Sequence, residues 1–155
     1  MGYTGRIVVA RSDRPLSELT ALRGAEVLDE SAYPGGWRSA QLDGDLSDAL
    51  RILVAETEWP ALTAFILDSD VADVEASAPS GVHWRVYLHQ EKAAEYGAPE
   101  LAHTAEEVTE QGLAWAVEAG LLADGAAVRA ALEAENVFAE ETFDELLVAL
   151  GIRAA

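Results

Sequence analysis

The hydrophobic period of this chain changes once, near Gln90, and that change constrains the fold more than any other feature. Before Gln90, short apolar runs, several of them alternating, are separated by turn-forming Gly, Pro and Asp residues. After Gln90, every periodic segment repeats its apolar residues at helical spacing. Strands and helices that are segregated along a chain are typical of α+β folds. We therefore predict an α+β fold in which a mainly antiparallel sheet of about five or six strands packs against helices.

The segment before Gln90 is predicted to contain the strands and one long helix. The turn sequence at 78–81 joins two alternating runs and predicts a β-hairpin. Apolar residues of Leu46–Thr57 fall on one side of a helix, which Pro60 ends. A shorter helix is predicted between Asp13 and Gly24, where leucines recur at near-helical spacing. The predicted strands are Tyr3–Ala10, Glu26–Glu30, Trp37–Leu42, Ala61–Leu67, Val71–Ser77 and Val82–His89.

The C-terminal part of the chain, residues 98–155, is predicted to be helical. Thr104 and Glu107 form a capping box at the start of its first helix. The other two helices each carry a one-sided apolar stripe. The predicted helices are Thr104–Ala119, Gly125–Glu135 and Glu140–Leu150.

We predict a single domain of residues 1–155, because this length is ordinary for one domain and no long linker interrupts it. The helical part then packs on the sheet part, residues 1–97. Three tryptophans fall within predicted apolar stripes and are expected in the core, whereas Trp59, at a helix end, is less clearly internal. The expected core tryptophans are Trp37, Trp84 and Trp115.

Acidic residues outnumber basic residues by 28 to 10, and nearly all of the excess lies beyond Arg51. Residues 1–51 hold six Arg and Lys against eight Asp and Glu, whereas residues 52–155 hold four against twenty. A field of this sign repels nucleic acid and anionic membranes, so the expected partner is a basic or neutral protein. Nine Arg against one Lys indicates a GC-rich bacterial genome, and such genomes often encode acidic proteins. Part of the negative charge then reflects the composition of the genome rather than a binding function.

Several classes of site are excluded or disfavoured by what the sequence lacks. The chain has no cysteine, so it forms no disulfide, thiolate nucleophile or Cys-bearing zinc site. No apolar run approaches the roughly 20 residues of a membrane span, and no secretion signal is evident, so we expect a cytoplasmic protein. No phosphate-binding loop, dinucleotide fingerprint or nucleophile elbow occurs, so no cofactor is expected and enzymatic activity is disfavoured.

The leading functional hypothesis concerns the acidic C-terminal helices. In this hypothesis the protein is a non-enzymatic domain that binds a basic protein, as small acidic immunity and inhibitor proteins do. The rate of association is then expected to fall as the salt concentration rises. The alternative is that these carboxylates are solvated helix faces that keep the protein soluble. The candidate binding residues are Glu140, Glu141, Asp144 and Glu145.

The predicted hairpin carries the most concentrated polar surface outside those helices. Alternation places its polar side chains on one face, with Asp73 or Glu75 opposite or diagonal to Arg85. One interpretation is a ligand site or acid/base pair, and the other is a solvated sheet face with a cross-strand ion pair. The residues of this patch are Asp73, Glu75, His83, Arg85 and Tyr87.

The histidines of the hairpin do not predict a metal site. His83 and His89 are separated by about 20 Å on a straight strand, at roughly 3.3 Å per residue. Two ligands of one zinc ion must each come within about 2 Å of it, so these two histidines do not share an ion.

The sequence Asp68-Ser69-Asp70 follows a buried-looking strand and resembles the first motif of haloacid-dehalogenase-type phosphatases. The resemblance implies that Asp68 is a nucleophile and Asp70 a proton donor beside magnesium. That family also uses a downstream Lys and a second acidic pair on a parallel sheet. Here a predicted hairpin follows instead, and Lys92 is the only lysine. The other interpretation is a turn in which the Asp side chains bind their own backbone.

Overall fold

The computed structural model describes residues 2–154 and contains one six-stranded sheet with the strand order β2-β3-β1-β4-β5-β6. Every neighbouring pair of strands in this sheet is antiparallel. The predicted α+β fold is therefore confirmed. The strands are β1 (Gly5–Arg11), β2 (Glu26–Ala32), β3 (Trp37–Asp43), β4 (Ala61–Leu67), β5 (Val71–Ser77) and β6 (His83–Leu88).

The helices lie on both faces of the sheet. One helix precedes β4, and the rest follow β6 in a C-terminal helical part, as the sequence predicts. Thr104 and Glu107 form the expected capping box, with Thr104 Oγ1 accepting from the Glu107 N–H at 3.2 Å. The helices are α1 (Ala49–Thr57), α2 (Gln90–Glu95), α3 (Ala105–Glu118), α4 (Gly125–Glu133) and α5 (Ala139–Leu150).

Side chains alternate between the two faces of the central strands, so apolar residues of one strand contribute to two cores on opposite faces of the sheet. Val8 points into a smaller core with α1, whereas its neighbour Val9 points into a larger core with α3, α4 and α5. Both side chains are completely buried. Strands β5 and β6 contribute only to the larger core, so their opposite face is left polar.

Three tryptophans join the sheet to the helical part. Trp115 of α3 lies 6.1 Å from the Trp37 ring and 6.2 Å from the Trp84 ring, measured between centroids. Its indole N–H donates to the Ser77 carbonyl at 2.8 Å. All three rings are nearly or fully buried, as expected, whereas Trp59 is 39% exposed.

The segment between β1 and β2 differs from the predicted short helix. It forms two 3-10 turns, Leu16–Glu18 and Thr20–Leu22. Leucines spaced by three residues match the 3.0-residue period of a 3-10 helix. Carboxylates from distant elements accept backbone N–H groups of these turns: Glu30 those of Leu16 and Ser17, and Glu56 those of Thr20 and Ala21.

Other differences concern element ends. Helix α1 begins at Ala49 rather than at Leu46, because the Leu46 carbonyl accepts from the Ala49 N–H in a preceding turn. Strand β1 begins two residues later than predicted, at Gly5. The short helix α2 was not predicted by hydrophobic period. Across residues 2–154, no helix combines the length and apolar character of a membrane span.

Candidate functional site

The turn between β4 and β5 connects several elements at one end of the sheet. Asp68 and Ser69 have positive φ angles of 51° and 56°, as in the mirror-image turns that join hairpin strands. Ser69 is buried, and its N–H donates to the Tyr3 carbonyl at 2.8 Å. The Ser69 carbonyl accepts from the Ala139 N–H at 2.7 Å, which ties the turn to the start of α5.

Both carboxylates of this turn hold neighbouring groups. Asp68 Oδ1 accepts from the Gly2 N–H, and Asp70 Oδ2 accepts from the Tyr96 hydroxyl, each at 2.8 Å. This bond raises the pKa of Tyr96 above its usual value. The strands on either side of the turn are antiparallel, unlike the parallel sheet that the phosphatase resemblance implies. The segment is therefore a turn, as one interpretation predicts, but its Asp side chains bind Gly2 and the Tyr96 hydroxyl rather than their own backbone.

His89 is the centre of a buried hydrogen-bond network behind the turn. Its Nδ1 lies 2.8 Å from the Asp70 carbonyl, which only accepts, so Nδ1 carries the proton. Its Nε2 then accepts from the Thr142 hydroxyl at 2.7 Å and from the Asn136 N–H at 3.3 Å. His89 and Thr142 are both buried. The network joins the turn to α5 and to the loop before it.

The four acidic residues predicted on the last helix divide into two pairs. Glu141 and Glu145 are exposed. Glu141 Oε1 accepts from the Phe138 N–H at 3.0 Å, and Glu145 Oε1 accepts from the Asn136 side chain at 3.1 Å. Glu140 and Asp144 lie one turn apart beside them on α5 and are only partly exposed. At about 100° per residue the four carboxylates share one side of α5, and the edge that carries Glu141 and Glu145 is the more exposed.

Glu140 and Asp144 line a polar cleft of about 270 Å³ between α5 and strands β2 and β3. Ser69 Oγ donates to Glu140 Oε2 at 2.9 Å, whereas Glu140 Oε1 is buried without a hydrogen-bond partner among the described residues. Burial raises the pKa of Asp144, although Arg153 at 2.9 Å opposes the shift. Burial and the Glu140 charge raise the pKa of Tyr3 to about 12.

Three large apolar side chains are exposed around the turn and the network. Tyr96 is 51% exposed, Val137 80% and Phe138 50%. Tyr96 binds Asp70 of the turn. Val137 and Phe138 lie between Asn136, which binds His89, and Ala139, which binds Ser69. Exposed carboxylates lie beside them. We name this the turn surface: Asp68, Asp70, Tyr96, Glu135, Val137, Phe138, Glu141 and Glu145.

The hairpin β5–β6 has the polar face that the sequence predicts, and its charges pair within that face. Asp73 binds Arg85 through two hydrogen bonds of 2.9 and 2.7 Å. This bond raises the pKa of Arg85 above its usual value. Glu75 lies opposite Arg85 in the register but binds His83 at 2.6 Å. The Tyr87 hydroxyl donates to the Pro99 carbonyl at 2.9 Å.

One end of this patch borders a cleft. Arg85 and Tyr87 line it on the sheet side, and Gln90, His103 and Thr104 line it on the side of α2 and α3. We name this concavity of about 590 Å³ the β6 cleft. Asp73, Glu75 and His83 lie outside it. Within residues 2–154, no three His, Asp or Glu side chains converge as metal ligands do.

Comparison with known proteins adds no functional assignment, since no family model, curated protein or solved structure matches the chain. The geometry of the described residues therefore has to carry any functional argument.

Sequence reasoning missed the apolar centre of the turn surface. Tyr96, Val137 and Phe138 belong to no apolar stripe, and a lone apolar residue in a loop does not indicate whether it is exposed. The one available signal was the pair Val137-Phe138 directly before an acidic helix start. Strand alternation predicts His89 on the polar face of the hairpin with His83, whereas the structure buries it against partners from distant segments.

Proposed function

We propose that this protein is an interaction domain that binds a basic protein partner through the turn surface. The observation that carries the proposal is the exposure of Tyr96, Val137 and Phe138 among carboxylates. Exposed apolar residues grouped together and rimmed by polar groups mark interaction sites more often than scattered ones do. Aromatic residues are also enriched at the energetically dominant centres of interfaces.

Charge selects the class of partner. Asp68, Glu135 and Glu141 are exposed beside the apolar residues, and the whole chain has a formal charge of −18. Lys92 on the neighbouring helix α2 lies 3.6 Å from Glu95 and so adds little positive field. A partner with Lys or Arg around an apolar patch complements this surface, and long-range attraction speeds its association.

Rigidity supports the same proposal. The turn is tied to the chain start through Tyr3 and to α5 through Ala139, while His89 joins it to Asn136 and Thr142. A surface held in its binding conformation loses little conformational entropy on association. The proposal keeps Glu141 and Glu145 of the sequence-based hypothesis and leaves out Glu140 and Asp144, which line the polar cleft.

The decisive experiment is affinity capture from a lysate of the source organism, compared across variants. The wild-type protein is expected to retain a basic protein at about 20 mM salt and to release it at about 500 mM, where the Debye length falls below about 5 Å. The double variant V137S/F138S is expected to lose that protein, because the apolar centre is removed.

A matched control removes exposed apolar side chains elsewhere. Val117 and Leu122 are 77% and 95% exposed. The Leu122 backbone lies beside Gly151, at the far end of α5 from Phe138. V117S/L122S should capture the same protein as the wild type. If V137S/F138S retains it equally well, the turn surface is not the binding site.

Ligand binding in the β6 cleft is a second candidate function. Its volume lies within the range of small-molecule sites, and Arg85, Tyr87 and His103 supply polar groups in a concave setting. A thermal-shift screen of metabolites tests it, since a ligand that binds only the folded state raises the melting temperature. The shift should be lost in H103A and kept in R51Q, an exposed change on α1. A screen without any shift removes this candidate.

A further inference from the structure

We propose that a separate cleft beside Arg11 and Trp59 binds a small organic anion, namely a carboxylate or phosphate ester attached to a planar or apolar group. We name it the Arg11 cleft. It measures about 520 Å³ and lies where β1 ends, next to the loop between α1 and β4. Small-molecule sites typically measure about 300–1,000 Å³.

The Arg11 cleft is distinct from the turn surface. Strand β1 pairs with β4 from Gly5 opposite Ile66 to Ala10 opposite Ala61. The turn at Asp68 follows the Ile66 end, whereas Trp59 precedes the Ala61 end. At roughly 3.3 Å per residue the two sites are separated by about 20 Å along the strands. The two proposals are therefore tested independently.

The charge of Arg11 is the first argument. Among residues 2–154 no carboxylate lies within 4.0 Å of its guanidinium, although the chain has 28 acidic residues and 10 basic ones. Asp13 lines the same cleft and does not pair with it. Arg38 also lacks a carboxylate partner among the described residues, and it donates to the Ser12 carbonyl at 3.1 Å, next to Arg11. Arg11 and Arg38 therefore have no direct carboxylate partner among the described residues. Once Glu56 is paired with Arg14, the carboxylate of Asp13 is the single negative charge that the described residues of the cleft set against them.

The other carboxylate of the cleft is already engaged. Glu56 accepts backbone N–H groups of Thr20 and Ala21 at 2.9 and 3.0 Å, and Arg14 lies 3.7 Å away. Although burial alone would raise it, these contacts lower the pKa of Glu56. Its charge is thus balanced locally and does not cancel the charge of Arg11.

The position of Arg11 is the second argument. Its guanidinium carbon lies 4.3 Å from the centre of the Trp59 ring, within cation–π distance. A cation–π contact uses the face of the guanidinium and not its N–H groups. The ring therefore orients Arg11 while leaving two of its N–H groups able to donate to one anion. A planar guanidinium matches the two oxygens of a carboxylate or phosphate. Anion binding then adds two charge-assisted hydrogen bonds to a group that is already oriented.

The walls of the cleft explain why the anion should carry a flat or apolar group. Trp59 is 39% exposed and offers an aromatic face, while Leu19 supplies an apolar wall. Gly35 and Gly36, both with positive φ, form another wall that has no side chain. A small oxyanion alone would leave most of this volume unfilled.

Nuclear magnetic resonance titration tests the proposal directly. Trp59 is the one exposed tryptophan, so its indole N–H signal, assigned with W59F, reports on the cleft. The probes are phenyl phosphate, benzoate, inorganic phosphate and neutral benzyl alcohol. Phenyl phosphate or benzoate should move this signal in a saturable way, and inorganic phosphate should bind more weakly. Benzyl alcohol should not saturate at the same concentrations.

Variants separate the role of Arg11 from general charge. R11Q should weaken binding of the preferred anion by roughly tenfold or more, because hydrogen bonds to charged groups are lost. R51Q removes the same charge from the exposed face of α1 and should leave binding unchanged. Equal binding of benzyl alcohol, or no saturable shift with any anion, would overturn the proposal. The comparison among the four probes uses the wild-type protein, so it tests the proposal even if R11Q folds poorly.

Discussion

At the scale of single residues, the acidic side chains predicted as site candidates fall into two groups. Some form contacts that stabilise the fold, and others are exposed to solvent. Glu140 accepts from Ser69, Asp144 pairs with Arg153, and Asp70 binds Tyr96. Buried polar atoms need partners, because an unmade hydrogen bond costs about 1–3 kcal/mol. These contacts account for Asp70 and Asp144 without a ligand, whereas Glu140 Oε1 is buried without a partner among the described residues.

The His89 network leads to a first prediction. Thr142→Val keeps the side-chain volume but removes the hydroxyl that serves His89 and Asn136. We expect the free energy of unfolding to fall by about 1–3 kcal/mol, because buried polar atoms lose partners. Urea denaturation measures this change.

Thr109→Val is the matched control. Thr109 is also largely buried, but its hydroxyl donates only to the Ala105 carbonyl within α3. Its loss should cost clearly less than that of Thr142. Equal losses in the two variants would mean that the network contributes nothing beyond an ordinary helix contact.

Tyr3 gives a second prediction, which concerns alkaline pH. Its hydroxyl donates to the Leu42 carbonyl at 2.5 Å, and its pKa rises from 10.0 to about 12 in the folded protein. The unfolded chain therefore loses this proton first. Stability from Tyr3 is complete below pH 10 and declines as the pH rises from about 10 towards 12.

The midpoint of urea unfolding, followed between about pH 9 and pH 11.5, checks this expectation. The wild-type midpoint should fall more steeply than that of Tyr3→Phe, which has no group to ionise. Parallel slopes in the two proteins would contradict it.

At the scale of elements, hydrophobic period and local caps account for most helices and strands. Strands β4 and β5 have the bounds that the sequence predicts. The 3-10 turns at Leu16 and Thr20 do not, because Glu30 and Glu56 satisfy their N–H groups from β2 and α1. A contact between segments far apart in sequence leaves no local pattern, so it could not be predicted.

The start of α3 supports a third prediction. Thr104 accepts from the Glu107 N–H, and Glu107 accepts from the Thr104 N–H at 3.1 Å. Thr104→Ala removes the cap and should destabilise the protein by about 1 kcal/mol. Chemical denaturation measures the effect.

Glu107→Gln provides a comparison, because glutamine also serves in a capping box. It should cost less than Thr104→Ala. The Thr104 backbone bond lowers the pKa of Glu107, so any difference between wild type and Glu107→Gln should be present above pH 4.5 and decline as the pH falls below it. A larger loss for Glu107→Gln than for Thr104→Ala at neutral pH would contradict this account.

At the scale of the whole molecule, the formal charge of −18 acts on both stability and association. Like charges on a folded protein repel one another, and salt screens that repulsion. On the polar face of the hairpin, Asp73 is paired with Arg85, and Glu75 is hydrogen-bonded to His83. Residues 98–155 hold twelve acidic residues against two basic ones, so much of the repulsion comes from the helical part.

A fourth prediction follows from this distribution. The melting temperature should rise by a few degrees between about 10 mM and 200 mM sodium chloride, since 1 kcal/mol corresponds to about 2–4 °C for a chain of this size. E106Q/E110Q removes two exposed charges of α3 and should reduce that rise. A melting temperature that falls with salt would show that attractive surface pairs dominate instead.

Local sequence patterns were enough to predict the α+β class, the hairpin, the C-terminal helices and the excess of negative charge. These properties depend on local period, turn residues and composition, which act over a few residues. The tertiary structure shows which carboxylates have hydrogen-bond partners, that Tyr96 binds Asp70 of the turn, and that Arg11 stacks on Trp59 without a carboxylate of the described residues within ion-pair distance. Those properties depend on distances between segments far apart along the chain, and no local pattern encodes such distances.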